Sequence, residues 1–415
     1  MLLNRDTLDN GLKIVHLQDT STQMVTLNVL YQVGSRNEDE HHTGLAHLFE
    51  HLMFGGSPNI PDYDAQLQLA SGDNNAFTTN DYTNYYLTLP AVNVETGFWL
   101  ESDRMTSLAF TPQSLEVQRK VVMEEFKQNY ITPPYSDLSH LIMALAYKVH
   151  PYRWPTIGLE LDHIAKVTMD EVKDFFFRFY APNNAILSVV GNITKEETMQ
   201  LAEKWFSPIP RRNIDIPLIP KEPEQTEQRR MIVQRDVPAN LLCMAFPIVG
   251  VNHPDFHCCD MISDILSAGK SCRLNHHLVD EQHLFVSIDA YIHPCIDPGL
   301  LFICGIPSEG VSLKVAEDAV WQEIDDLLHQ GVTDDELEKV KNKFETNFMK
   351  ERANRQRLAA QLAYYEMLGD ANKAETETKA YRSTTLAHFM QVCHNVLQRN
   401  RANVLWYMTS GHSSD

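Results

Sequence analysis

Residues 43–56 read Thr43-Gly44-Leu45-Ala46-His47-Leu48-Phe49-Glu50-His51-Leu52-Met53-Phe54-Gly55-Gly56. Two imidazoles stand four residues apart, and a carboxylate follows the first by three. On a helix, all three groups lie on one face. Two neutral nitrogen donors beside a carboxylate base are what a metal-activated hydrolase needs, and H-x-x-E-H is the zinc motif H-E-x-x-H in reverse order. Thr43 is expected to be the N-cap. Leu45, Ala46, Leu48, Phe49, Leu52 and Met53 supply helix formers, and Gly55-Gly56 supplies a stop. Such a helix is nearly all apolar and should be buried, so its polar groups need partners. A pair of hydrogen-bonded core histidines is the alternative, but that reading suits a lone His better than this constellation.

Catalytic zinc takes three protein ligands and keeps one position open. Thr111-Pro112-Gln113-Ser114 signals a second helix, with Thr111 as N-cap and Pro112 in the first turn, running to Tyr130. Leu115, Val121, Val122 and Met123 mark a broad buried face. Glu125 lies four after Val121 and three after Val122 and points with that face. Glu124, four after Lys120, suits a solvated pair. Spacing alone leaves both open as the third donor.

With these two helices in hand, the chain resembles the pitrilysin/insulinase family of inverted-motif zinc metallopeptidases. It is most similar to the half-length, processing-peptidase-like subunits. The resemblance covers nearly the whole chain. It rests on Asn10-Gly11-Leu12, Gly34-Ser35-Arg36-Asn37-Glu38, the stretch Gly44 to Phe54, Asn75-Ala76-Phe77-Thr78, His150-Pro151-Tyr152 and Thr156-Ile157-Gly158. It implies one Zn2+ per chain held by His47, His51 and Glu125, with Glu50 as general base, and it favours Glu125 over Glu124. It also implies that the strand through Asn75, Ala76, Phe77 and Thr78 binds an extended substrate by β-augmentation.

The chain departs from the family pattern in two places. The acidic residue usual seven before the zinc Glu is Gln118, which can hydrogen bond near the metal but brings no charge. The Arg and Tyr that clamp substrate in the family fall on Val279 and Val286, in a register anchored by Ser271-Cys272-Arg273-Leu274. The resemblance therefore implies a heterodimer with a homologous subunit that supplies the Arg/Tyr pair. A homodimer is the other arrangement it allows.

At 415 residues the chain is long enough for two domains, and 43% hydrophobic with 22% charged residues fits a globular protein. A net charge of −20 excludes nucleic acid as an expected partner. It fits a solvated acidic surface, and also a chamber that attracts basic peptides. No run is long enough to span a bilayer. The first residues lack a signal-peptide apolar region, so a cytoplasmic location is expected, or a periplasmic one if a leader has been removed. All seven cysteines (Cys243, Cys258, Cys259, Cys272, Cys295, Cys304 and Cys393) lie in the second half with no C-x-x-C pair, and buried free thiols are expected.

Strand-like runs at Gly11–Leu17, Met24–Val33, Asn74–Thr79, Tyr82–Leu89 and Ala185–Val190 alternate with helical stretches. Thr168-Met169-Asp170-Glu171 forms a capping box and Thr194 caps a further helix. The second half repeats the plan, with strands near Arg230–Gln234, Leu241–Ala245, Phe285–Ile292, Leu300–Cys304 and Ala402–Tyr407. Thr333 is expected to cap one long helix reaching about Met367. The fold class is α+β: two homologous domains, each a mixed, mostly antiparallel sheet covered by helices. The expected divisions are 1–207 (with the metal motif), a Pro-rich linker 208–228 and 229–415 (without the motif).

Other clusters read as structural. His41 and His42 sit in a polar loop. His276 and His277 lie on a predicted helix without nearby carboxylate spacing and read as surface histidines. His257-Cys258-Cys259 point in different directions on a helix. Phe175, Phe176, Phe177, Phe179 and Tyr180 read as core. The functional expectation is a zinc-dependent endopeptidase subunit acting on peptides or unfolded segments. The rival is a non-catalytic structural or peptide-binding subunit that retains a zinc site.

Overall fold

The computed structural model describes residues 3–214, 216 and 218–410; Pro217 of the Pro-rich stretch lies outside them. Six strands form the first sheet: β1 (Leu3–Thr7), β2 (Lys13–Gln18), β3 (Met24–Tyr31), β4 (Asp73–Thr78), β5 (Thr83–Pro90) and β6 (Ala185–Gly191), in the order β1-β2-β6-β3-β5-β4. Five form the second: β7 (Arg229–Arg235), β8 (Leu241–Pro247), β9 (Phe285–His293), β10 (Leu300–Pro307) and β11 (Asn403–Thr409), in the order β7-β11-β8-β10-β9. β2 pairs with β6 in parallel, as β7 does with β11, and all other pairings are antiparallel. The run β2-β6-β3-β5-β4 therefore matches β7-β11-β8-β10-β9 strand for strand. The α+β duplication expected from the sequence is present.

Both sheets are covered on both faces, as their strand sequences require. Every residue of β6 and all but the first of β3 are buried. β6 is an apolar run broken only by Ser188, as suits a strand without a solvent face, whereas β3 alternates apolar residues with Thr26 and Asn28, which are buried against Thr88 and Asn84. In the first unit, Val15, Leu17, Leu30, Ile186 and Val190 point to one side and pack on Leu358, Ala359, Leu362 and Ala363. On the other side, Leu27 and Leu87 reach Gly97 of the helix Val94–Thr106, where a Cβ would lie 3.0 Å from Leu87. In the second unit, Cys243, Ala245, Phe302 and Leu405 pack on Ile142, Leu145 and Ala146. Their alternates Leu242, Met244, Ile303 and Val404 pack on the helices Phe256–Ser267, Leu313–Gln330 and Leu386–Val396.

The covering helices show that the units are not two consecutive stretches of chain. Residues 129–153 belong by their contacts to the second unit, and residues 349–376 to the first. The expected single helix from Thr333 to Met367 is two: Asp334–Ala353 and Arg355–Met367. Asn354 ends one and caps the next, accepting from Arg357 N–H. Its short amide competes with the backbone, which is why Asn favours caps over helix interiors. Arg355 pairs with Asp19 at 2.8 Å, and Glu366 with Arg5 at 2.7 Å, fixing both ends of the second helix to the first sheet.

A further difference concerns the cysteines. Cys243 and Cys304 stand directly opposite on β8 and β10 and are joined by a disulfide, whereas free thiols were expected throughout. The pairing depends on strand register across 61 residues, which spacing does not reveal. The other five cysteines are free and buried.

Leu362 is 2% exposed and Val92 is 90% exposed. Leu362→Ala should cost about 2–5 kcal/mol, whereas Val92→Ala should stay within about 0.5 kcal/mol. Urea unfolding midpoints of the two variants check the assignment of the helix Arg355–Met367 to the first sheet.

Candidate metal centre

The motif forms a helix, Leu45–Leu52, with Leu45, Ala46, Leu48, Phe49 and Leu52 buried. At eight residues it is too short to persist alone. Phe49 anchors it, packing on Phe175 at 5.6 Å, Phe176 at 5.9 Å and Tyr180 at 4.4 Å between ring centroids. This is the role of the expected aromatic core, although Phe177 is half exposed and lies under Arg212. The helix ends as expected before Gly55-Gly56, with Gly55 N–H bonded to Leu52 O.

Thr43 is not the cap. Its hydroxyl accepts from Leu159 N–H at 2.8 Å and meets His163 Nδ1 at 2.8 Å. Gly44 precedes the helix at φ 88°, where a Cβ would lie 2.5 Å from Ile157 O. The first-turn N–H groups of Gly44 and Ala46 instead donate to Glu38 at 2.9 and 2.7 Å. A carboxyl oxygen at a helix N-terminus satisfies orphan donors. Burial pushes the Glu38 carboxyl up to about 8, against the pull of these N–H donors. Glu38 is a residue that sequence reasoning missed; it appeared only as the last member of Gly34-Ser35-Arg36-Asn37-Glu38.

The second helix is Pro112–Tyr130 as expected, with Ser114 N–H donating to Thr111 Oγ1 at 3.1 Å. Its buried side is narrower than expected. Leu115, Val122 and Phe126 are buried, while Val121 is 44% exposed. Residues seven and four apart make a single stripe, and Val121 falls off it. Glu125 flanks that stripe and faces both imidazoles, with Oε1 3.8 Å from His47 Nε2 and Oε2 3.4 Å from His51 Nε2. Glu124 turns to solvent and pairs with Lys127 at 3.2 Å.

Glu50 lies between the two histidines in sequence, and its Oε2 accepts from Thr78 Oγ1 at 2.5 Å. Burial raises the Glu50 pKa, the Thr78 hydroxyl opposes that, and the Glu125 charge adds to it. Burial, helped by His51, pushes His47 down to about 4. Burial also lowers His51, against the opposing pull of Glu125. Both imidazoles are therefore neutral at neutral pH, with a lone pair to offer.

One donor atom from each of His47, His51 and Glu125 lies within 4.8 Å of the others. Two imidazole nitrogens and one carboxylate oxygen are a donor set suited to zinc. On a zinc tetrahedron with bonds of about 2.0–2.1 Å, neighbouring donors stand roughly 3.3 Å apart. The side chains are thus nearly placed for an ion without rearrangement.

Asn75, Ala76, Phe77 and Thr78 lie on β4, at the edge of the first sheet, alternating exposed and half-buried. Asn75 Oδ1 accepts from Ala76 N–H at 2.8 Å. Gln118 is on the Glu125 helix and half-buried. Val279 packs against the core of the second unit, and Val286 stands 66% exposed on β9. His42 pairs with Glu171 at 3.0 Å, and His41 lies 3.7 Å from Glu40. His257 turns to Glu377 and Cys258 to His388, so His257, Cys258 and Cys259 form no joint site. His276 and His277 depart from the expectation, because the carboxylates of Glu281 and Glu323 lie 3.4 and 2.7 Å from them.

The duplicated fold and the inverted motif define a peptidase class, and the chain belongs to the pitrilysin/insulinase family. Residues 13–158 match the profile "Insulinase (Peptidase family M16)", and residues 166–344 match "Peptidase M16 inactive domain". Zinc protease PqqE of Helicobacter pylori is 27% identical over 409 residues, covering 96% of this chain and 91% of that one. Mitochondrial-processing peptidase subunit beta of Saccharomyces cerevisiae is 26% identical over 256 residues, covering 60% and 54%. The crystal structure of a protease from Helicobacter pylori superposes with a TM-score of 0.92 at 25% identity, over 98% of this chain and 99% of that one. The chain is a half-length member of the family.

His51→Ala and Glu125→Gln should each lower the zinc content of the purified chain by one equivalent, while Glu124→Gln should leave it unchanged. Elemental analysis after dialysis reads all three.

Proposed function

We propose that this protein is a zinc-dependent endopeptidase subunit that cleaves peptides or unfolded polypeptide segments. The observation that carries this reading is the meeting of His47, His51 and Glu125 from two helices, with Glu50 alongside and held by Thr78. Zinc bound there would supply Lewis acidity to the scissile carbonyl and to the attacking water. Glu50 takes the proton from that water and delivers it to the leaving amine. Burial favours this role by raising the carboxylate's basicity. Asn75 to Thr78 would hold the substrate as an added strand on the edge of the first sheet.

Val279 and Val286 offer no donor to substrate carbonyls or to a developing oxyanion. The reading therefore includes a homologous partner subunit that supplies an Arg/Tyr pair, with a homodimer as the other arrangement. Gln118, Val279 and Val286 also favour a second reading, a peptide-binding subunit that keeps its zinc without turnover. Hydrolysis of a mixed fluorogenic peptide library separates the two. Turnover by the zinc-loaded chain, alone or with a partner, supports the enzyme; peptide binding without cleavage in any pairing supports the second reading.

In an active preparation, Glu50→Gln should keep zinc and abolish turnover, and retained turnover would sink the assignment of the base. The base must be ionised to accept a proton, so activity is lost as pH falls through its pKa. Thr78→Val removes a donor that lowers that pKa. The acid limb of kcat/KM should then move to higher pH, which a pH–rate profile measures.

A further inference from the structure

The second unit carries a cluster that the peptidase reading does not use. Residues Leu274–Glu281 wind as a π-helix, in which Gln282 N–H bonds to His277 O, five residues back. At 3.6 residues per turn, residue i+5 would stand about 140° away from residue i. The wider turn brings Glu281 beside His276, with Oε1 3.4 Å from Nε2. His277 Nδ1 lies 2.7 Å from Glu323 Oε2, on the helix Leu313–Gln330. A ligand atom from each of His276, His277 and Glu281 lies within 4.8 Å of the others. Glu323 is buried, whereas the other three reach the surface.

We propose that His276, His277 and Glu281 form a second site for a divalent transition-metal ion such as zinc, with Glu323 orienting His277. Two imidazoles and a carboxylate are again a zinc-type donor set. The buried Glu323 carboxylate accepts from His277 Nδ1–H and so leaves the lone pair on Nε2. A carboxylate behind an imidazole in this way orients metal-ligating histidines and raises their basicity. The winding is a separate indication. A surface ion pair needs only ordinary i+4 spacing, which would offer Asp280 to His276, yet the helix widens and presents Glu281. π-Helical turns occur often at functional sites. An ion here would fix the winding of the segment before β9 and stabilise the second unit by mass action. The site shares no residue with the first centre.

The test is zinc content per chain and zinc titration of the full-length protein. A His47→Ala/His51→Ala variant should retain a single zinc and gain thermal stability from it. Adding His276→Ala and Glu281→Gln should remove that zinc. Glu323→Gln, close to isosteric, should weaken its binding about 10- to 100-fold. With the first centre intact, His276→Ala/Glu281→Gln should lose one of two zinc equivalents. Loss of all zinc from the His47→Ala/His51→Ala variant, or zinc retention indifferent to His276 and Glu281, would overturn the proposal. The His51-dependent zinc of the wild-type chain, read in the same assay, keeps this result separate from the fate of the first centre.

Discussion

Two imidazoles and a carboxylate pressed into an apolar helix are costly unless something holds them in place. An eight-residue helix cannot do this from its own backbone. The structure therefore fixes it from outside: Phe49 packed among Phe175, Phe176 and Tyr180, Gly44 fitted against Ile157, and Glu38 bonded to the first-turn N–H groups. Glu38 belongs to a loop that also grips the turn after β4, through Ser35 N–H to Thr79 O and Arg36 N–H to Asn80 O. The same short segment thus positions both the motif helix and the strand whose Thr78 holds Glu50. Donor placement near 3.4–3.8 Å is the outcome of that bracing rather than of the motif alone.

Much of this was legible in the sequence because it depends on local rules. Helical spacing put His47, Glu50 and His51 on one face, and Thr111-Pro112 marked the start of the second helix. Strand-like patterning marked β3, and a largely apolar run marked β6. What escaped depended on tertiary partners. Thr43 has the right chemistry for a cap, but its hydroxyl is engaged by Leu159 and His163, and a carboxylate six residues before Gly44 takes the role. No local pattern signals that. Val121 looked buried because it is apolar, yet the stripe is narrow. Glu125 over Glu124 followed from the family resemblance, since spacing left both open. Side-chain direction in the structure agrees: Glu124 goes to Lys127 and Glu125 to the histidines.

His276 and His277 show the same limit from the other side. An α-helical reading would set Asp280 beside His276 and Glu281 beside His277, as ordinary surface pairs. The π-turn instead brings Glu281 to His276, and Glu323 of a separate helix meets His277; neither pairing can be read from a periodicity of 3.6. The pairing of Cys243 with Cys304 likewise rests on sheet register.

The exchange of covering helices bears on how such a chain can be made. Translation delivers the first sheet's strands before residue 192. The helix that seals one face of that sheet is Arg355–Met367, which is released only near the end of synthesis. Until then Val15, Leu17, Leu30, Ile186 and Val190 form an uncovered apolar surface on a nascent chain, the kind of surface that invites aggregation or chaperone capture. Cutting the chain at its Pro-rich segment would leave the same surface bare, and would leave the helix Leu138–Ala146 without the sheet it covers. Duplication gave this protein two similar units, but the exchange makes the folding of the first wait on the last part of the second half.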